Sequence, residues 1–447
     1  MKKFLSLSLL LLLLPTMAVW AEKPWDNGPL QVSANGRFLQ HSNGKPFFWL
    51  ADTGWLLPQR LNRDEAAHYL QQTAEAEFNV VQIQVLNELP SYNVYGQSSD
   101  DEAYWRHLDY IVGAAERNGI YVAMVCVWGS QVKRGRMDEA KAKEYGAFLA
   151  RRYADRPNII WMIGGDLRGD IHPEVWQALA TSIKAVDKTH LMTYHPRGRF
   201  TSACWWSDAA WIDFHTFQSG HRRYGQQMGS KDYIIPEGTE EDNWQYVALT
   251  WQKDSRRPVL DAEPSYEDIP QGLHGVGEPR WTSADVRRYA YWSVFAGSCG
   301  HTYGHNSIMQ FYRYGLPPAY QACEPWYDAL QAEGRHQMRY LKELMLMLPY
   351  FERVPDQDIV RDNGTGYDRL CATRGNDYLL VYNYTGRTMT LDFNRIVGEE
   401  KTVWWMEAST GRRTLLGTFK SGVVTLRPHH AGDGVLIAID SSKHYIE

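Results

Sequence analysis

Two rhythms of apolar and polar positions divide the chain. Eight short apolar runs recur at 47–52, 79–86, 120–128, 158–164, 191–195, 211–217, 257–263 and 297–303, and each reads as a strand. Many are separated by stretches with apolar residues at helical spacing, starting at Asp64, Asp101 and Asp138. Each of these three opens on Asp-Glu, negative charge that suits a helix N-terminus. Further helices are expected over 283–296 and, as one long element, near 324–347. Eight strands alternating with helices over about 300 residues is the count of a (β/α)8 TIM barrel. An open doubly wound sheet is the other candidate, but no Gly-x-Gly-x-x-Gly follows the first strand and no phosphate-binding loop is present.

Ahead of the barrel, "LQVSANGRFLQHSNGKPFF" over 30–48 reads as a hairpin, with turns at Asn35-Gly36 and Asn43-Gly44. Behind it the rhythm changes. From Asp356 onward, runs such as "YLLVYNY", "TVWWMEAST" and "GVLIAID" are spaced by Gly, Asn and Thr without helical periodicity. This predicts a small all-β sandwich, expected to pack on the barrel. The expected division is 1–21 a leader, 22–350 the barrel with its hairpin, and 351–447 the β domain.

The leader has Lys2-Lys3, an apolar stretch from Phe4 to Leu14, and small residues before a cut after Ala21. That stretch is too short to cross a bilayer, so the chain is expected to be exported, to the periplasm or beyond, without membrane insertion. Without the leader's two lysines the 47 basic side chains fall to 45 against 52 acidic, a net charge of −7. An acidic chain with no basic stripe argues against nucleic acid as a partner. Five cysteines, at 126, 204, 299, 323 and 371, are few and odd in number, so no disulfide framework is expected. Cys299–Cys323 is the pair that could bridge; packed thiols are the alternative. Aromatics at 13%, with 18 tryptophans, suit either a large core or sugar stacking.

In such barrels active residues stand at the carboxyl ends of the strands. Those exits carry Asp52, then Gln84 and Asn87, Trp128, Asp166, His195, then His215, Gln218 and His221, Glu263, and finally His301, Tyr303 and His305. Asp166 and Glu263 stand out. They are 97 residues apart, about three βα units of ~31 residues, which sets them on facing sides of one pocket. Facing carboxylates are what glycosidic cleavage needs: one protonates the leaving oxygen, the other attacks or activates water. Gly164-Gly165 is expected to let backbone approach a ligand beside the acid, and Pro264 ends the strand after Glu263. An Asp after two glycines is also an ordinary turn residue, and Asp261, sharing parity with Glu263, reads as a buried structural carboxylate. The histidines form no metal-ligand spacing, so no metal and no cofactor are expected. Met309 and Trp205-Trp206 read as packing; Trp128 fits core or sugar platform equally.

"FWLADTGWLLPQRLNRDEAAHYL", "NIIWMIGGD", "MTYHPRG", "FQSGH", "EPSYED" and "AYWSVFAGSCGHTYGHNSIMQF" resemble the apiosidase-like barrel of bacterial glycoside hydrolases (family 140 and its relatives), over about Leu30 to Leu348. The β domain resembles the module that accompanies this barrel and carries a collagen-binding label. The resemblance implies a plant cell-wall substrate: removal of β-linked apiose from galacturonic acid in side chains of rhamnogalacturonan-II. It assigns Asp166 as acid/base and Glu263 as nucleophile. Related barrel glycosidases carry Asn-Glu where this chain has Gly165-Asp166; retention is the expected stereochemistry. Asp52, Asn87, Trp128, His195, Gln218, His221, Glu267, His301, Tyr303 and His305 are then expected to bind substrate. Arg197, Arg222 and Arg223 are the candidates for a cationic pocket that takes galacturonate.

Overall fold

The computed structural model describes residues 22–227, 232–428 and 432–446; the leader call at 1–21 falls outside them. An antiparallel sheet of β1 (Leu30–Val32), β2 (Leu39–His41) and β3 (Pro46–Phe47) opens the chain. Its two turns are the Asn-Gly pairs, with Gly36 and Gly44 at φ 69° and 90°, a region that glycine enters without steric cost.

The eight expected strands all form: β4 (Trp49–Thr53), β5 (Val80–Leu86), β6 (Tyr121–Val127), β7 (Ile159–Gly164) and β8 (Met192–His195), then, after a short β9 (Phe200–Thr201), β10 (His215–Gln218), β11 (Val259–Asp261) and β12 (Gly300–Tyr303). They pair in parallel in the order β8-β7-β6-β5-β4-β12-β11-β10, with β9 antiparallel on the edge of β10. Where β8 meets β10, Asp213 N–H donates to Met192 O at 2.8 Å and Thr193 Oγ1 donates to Phe214 O at 2.7 Å, which joins the ends of the sheet into a barrel.

Helices Arg63–Glu75, Glu102–Arg117, Glu139–Tyr153, Pro173–Val186, Asn243–Lys253 and Ser283–Phe295 surround the strands. Two of the three Asp-Glu openings have side-chain caps: Asn62 accepts from Glu65 N and Asp138 from Lys141 N. A cap of this kind is worth ~1 kcal/mol. The long helix expected near 324–347 is two pieces, Trp326–Ala329 and Glu333–Met347, because the chain leaves helical backbone at Ala332. Among the described residues no helix is long and apolar enough to cross a membrane.

The C-terminal strands β13 (Val354–Pro355), β14 (Leu370–Arg374), β15 (Tyr378–Asn383), β17 (Glu400–Glu407), β18 (Arg413–Lys420) and β20 (Gly434–Asp440) form one sheet in the order β13-β14-β15-β20-β17-β18. A two-stranded layer of β16 (Met389–Asp392) and β19 (Val423–Leu426) covers one face, burying Leu379, Val381, Leu391 and Leu436. The alternate residues Leu380, Tyr382, Ile437 and Ile439 join the core of the barrel beside Trp292. Tyr382 stacks on Tyr291 at 4.6 Å, and a buried Arg287–Asp433 ion pair at 2.6 Å ties helix Ser283–Phe295 to the β domain. All five cysteines are free thiols; the Cys299–Cys323 bridge does not form, since Cys299 is in the core and Cys323 is exposed.

Candidate active site

Local backbone geometry drives Asp166 out of its strand. Gly164 and Gly165 have φ of 89° and 126°, and Asp166 itself has φ 53°. Three consecutive left-handed residues break the alternation of β7 and turn the carboxyl into the mouth of the barrel. The glycines serve the barrel rather than the ligand. A Cβ on Gly164 would lie 2.4 Å from His195 O, and one on Gly165 would lie 2.9 Å from the Trp128 ring. Neither glycine lines the pocket, so the expectation that they clear room for a ligand is corrected: they let the ends of β6 and β8 close on β7.

Asp166 and Glu263 line one cavity of about 380 Å³, within the size range of small-molecule sites. Glu263 follows the end of β11, and the chain turns there. Asp261 faces outward, where Ser219 Oγ and Asn243 Nδ2 donate to it, and Glu263 enters the pocket. His221 Nε2 lies 3.3 Å from Glu263 Oε1, and His195 Nε2 lies 3.3 Å from Oε2, in ion-pair range but off hydrogen-bond alignment. Asp166 N–H donates to His195 Nδ1 at 3.4 Å, so the neutral ring carries its proton on Nε2, toward Glu263. Trp55 and Trp128 wall the His195 ring, with centroids at 5.3 and 6.0 Å.

This environment separates the two carboxyls. Burial pushes Glu263 up, but His195 and His221 outweigh it and hold the group well below the usual range. Asp166 is raised to about 6, by desolvation first and by the Glu263 charge second. Its side chain is solvent-accessible at the pocket mouth, yet the walls of the pocket still make desolvation its largest influence. One carboxyl ionised and its neighbour protonated is the division of labour that acid-assisted displacement at an acetal carbon requires.

Of the expected binding residues, Trp128, Gln218 and His221 line the pocket, and His195 lies under it against Glu263. Gln218 Oε1, His221 Nδ1 and Glu263 Oε2 have no protein hydrogen-bond partner among the described residues, leaving capacity for a polyhydroxylated ligand.

The other six expectations are corrected. Asp52 pairs with Arg335 of helix Glu333–Met347 at 3.1 Å; Tyr303, its register partner, donates to Glu267 Oε2, whose other oxygen accepts from Gly334 N. His301 shares its register with the outward-facing Asp261 and is fully buried. Asp52, His301 and Tyr303 stand on the wrong face of their strands, and Glu267 turns to the same outer side from the loop after β11. Asn87 accepts from Ser91 Oγ within its own loop. His305 lies beside Asp268 and Glu324, a group with metal-like spacing. However, Ser307 N–H donates to His305 Nδ1, so Nε2 keeps its proton toward Glu324 and offers no lone pair to an ion.

The pocket also contains residues not expected there. Trp55 and Tyr266 join their rims through Trp55 Nε1–H donating to Tyr266 Oη at 3.0 Å. Both belong to quoted motifs, "ADTGW" and "EPSYED", and were legible as neighbours of the carboxylates. Met309 packs in the hydrophobic core, as expected, and also lines the wall. Tyr320 had no signal; Asn306 Nδ2 and Arg280 fix its loop through the carbonyls of Tyr320 and Gln321. Arg197, Arg199 and Arg222 form a cationic side, whereas Arg223 pairs with Glu278 outside the lining.

Residues 33–352 match the family model described as "Apiosidase-like, catalytic domain", and residues 354–438 match "Putative collagen-binding domain of a collagenase". A solved structure described as "Glycoside hydrolase" is 56% identical over 95% of this chain and 100% of its own, with a TM-score of 0.93. A structure described as a glycoside hydrolase family 5 from Bacteroides vulgatus is 55% identical over 95% of this chain and 96% of its own, with a TM-score of 0.94. A third, described as "a putative glycoside hydrolase" and also from Bacteroides vulgatus, shares the fold at 16% identity and a TM-score of 0.66, over 93% of this chain and 82% of its own. Comparison with curated proteins returns no match.

Proposed function

The chain belongs to the apiosidase-like family and is an O-glycosyl hydrolase, and from that premise we propose that it removes β-linked apiose from galacturonic acid in rhamnogalacturonan-II side chains, with retention. The observation that carries this reading is the Asp166–Glu263 pair, set in one pocket whose surroundings push Asp166 up and hold Glu263 low, with Arg197, Arg199 and Arg222 alongside. Glu263, ionised, attacks the anomeric carbon from one face of the sugar. Asp166 gives its proton to the departing oxygen of galacturonate. The bond to the leaving oxygen breaks as the bond to Glu263 forms. Once Glu263 is esterified its charge is gone, and Asp166 loses the part of its upward shift that this repulsion supplied. It then serves as the base that takes a proton from water, which releases the sugar and restores both groups.

Gln218 and the unpaired nitrogen of His221 supply hydrogen bonds for hydroxyls, and Trp55 and Trp128 supply apolar faces. The arginine side suits a uronate carboxylate, which guanidinium groups bind with paired hydrogen bonds. Export fits a polymer substrate too large to enter a cell, and the basic-apolar-small leader of residues 1–21 supports it.

The test is product identification. The mature protein, Asp166→Ala and Glu263→Ala are each incubated with apiose-bearing rhamnogalacturonan-II oligosaccharides. Free apiose from the wild type alone is the expected result. A folded wild type that releases nothing from these, but acts on another furanoside or uronic-acid-containing glycan, would remove the apiose assignment and keep the carboxylate pair.

A further inference from the structure

The C-terminal β domain contacts the segment behind the active-site wall through Tyr367. The chain after β10 supplies Gly220, His221 and Arg222 to the pocket and returns through Glu240, Glu241 and Asp242 into helix Asn243–Lys253. Glu241 is fully buried, and three elements meet on its carboxylate. Tyr224 N–H donates to Oε1 at 2.6 Å, Tyr367 Oη of the β domain donates to the same oxygen at 3.0 Å, and Arg288 donates to Oε2. The Tyr367 ring also packs edge-on against Tyr224 at 5.1 Å and covers the Arg288 guanidinium at 4.7 Å. The adjacent Glu240 is buried too; its nearest cation is Arg222, 4.0 Å away, and its charge also acts on Arg199. Glu240 and Glu241 therefore join the β domain to the cationic side of the pocket.

We propose that Tyr367 is a positioning residue for substrate binding: through Glu241 it fixes the segment that carries Arg222, and so sets the arginine side of the pocket. Its influence stops short of the carboxylate pair. His221 has its own anchors on the barrel, since Gly272 N–H and Trp281 Nε1–H both donate to its carbonyl. Loss of the Tyr367 hydroxyl consequently loosens the wall that grips substrate and leaves Glu263 and its histidines in place. The kinetic part of the inference rests on the reading that the arginines face the sugar acid; the structural part does not.

Tyr367→Phe removes the hydroxyl and keeps the ring. Tyr384→Phe is the control, because Tyr384 Oη donates across the same interface to Asp285 at 3.1 Å and does not touch Glu241. Hydrogen–deuterium exchange over residues 220–227 and 232–242 is compared in the full-length mature chains, together with steady-state kinetics on the apiosyl-galacturonate oligosaccharide. The expected result for Tyr367→Phe is faster exchange in both segments and a KM raised roughly three- to tenfold with kcat nearly unchanged, a fraction of what one hydrogen bond to a charged group is worth, because Tyr367 acts on substrate only through the segment it holds. Tyr384→Phe should match the wild type in both. Unchanged exchange in Tyr367→Phe, equal effects in the two variants, or faster exchange with an unaltered KM would each overturn the proposal. If the wild type does not cleave the apioside, the substrate reading falls alone and the exchange comparison still decides the brace.

Discussion

On the proposed mechanism the protonation of Asp166 should set the pH profile of the enzyme, and the surroundings of its carboxyl give the direction. Its carboxyl is raised to about 6, through desolvation within the pocket and through the neighbouring Glu263 charge, while His195 and His221 hold Glu263 low. The two titrate as a pair, with an acid limb from Glu263 and an alkaline limb from Asp166. The productive form, Glu263 ionised and Asp166 protonated, therefore dominates between those limbs. Above about pH 6 its fraction falls tenfold per unit, so kcat/KM at pH 8 should be roughly a hundredfold below the plateau. Asp166→Asn should lower the plateau by about 10²–10⁴ and remove the alkaline limb. Measuring apiose release at substrate concentrations far below KM, from pH 4 to 8, reports kcat/KM directly. A substrate whose leaving group needs no proton should recover much of the deficit in the first step. A wild-type profile flat from pH 5 to 8, or an Asp166→Asn enzyme with the same alkaline limb, would refute the assignment of this group as the acid.

Glu263→Ala should remove nearly all turnover while circular dichroism and thermal unfolding stay close to wild type; substantial residual activity would move the nucleophile elsewhere. Gly164→Ala forces a Cβ to 2.4 Å from His195 O at a φ of 89°, and should cost at least about 2 kcal/mol in denaturant unfolding. Arg287→Ala strands the buried Asp433 carboxylate, and a loss of roughly 3–5 kcal/mol is expected, read as a lower unfolding midpoint. Asp261 is held at about 7 by burial, against the partial relief from Ser219 and Asn243. Its folded value is above the unfolded one, so stability should fall as pH rises from about 4 to about 7, by at most roughly 4 kcal/mol. Asp261→Asn should flatten that slope, and an unchanged slope would assign the pH dependence to other groups.

The β domain matches a family model with a collagen-binding description, yet here its sheet is apolar on both faces. One face packs its own two-stranded layer and the other packs the barrel, leaving Tyr367 and Tyr384 at the seam. In this chain the module's visible physical role is to complete the barrel's core.

Much of this was legible in the chain itself. Apolar runs and Asp-Glu helix openings marked eight strands and their crossovers, because burial and helix-end electrostatics act on neighbouring residues. The two carboxylates were legible for the same reason: each stands where a strand run stops, at Gly164-Gly165 and at Pro264. The facing of side chains was not. Strands of a barrel are buried on both faces, inside by one another and outside by helices, so polar and apolar positions do not alternate. Nothing local distinguishes Gln218, which looks inward, from His301, Tyr303 and Asp52, which look out toward Asn243 and Arg335. Pairing register decides that, and register depends on contacts between segments far apart in the chain. The same holds for Tyr320 and Tyr367. Tyr320 is held at the pocket by Asn306, and Tyr367 is held on the buried Glu241 behind it, partners that only the tertiary structure brings within reach.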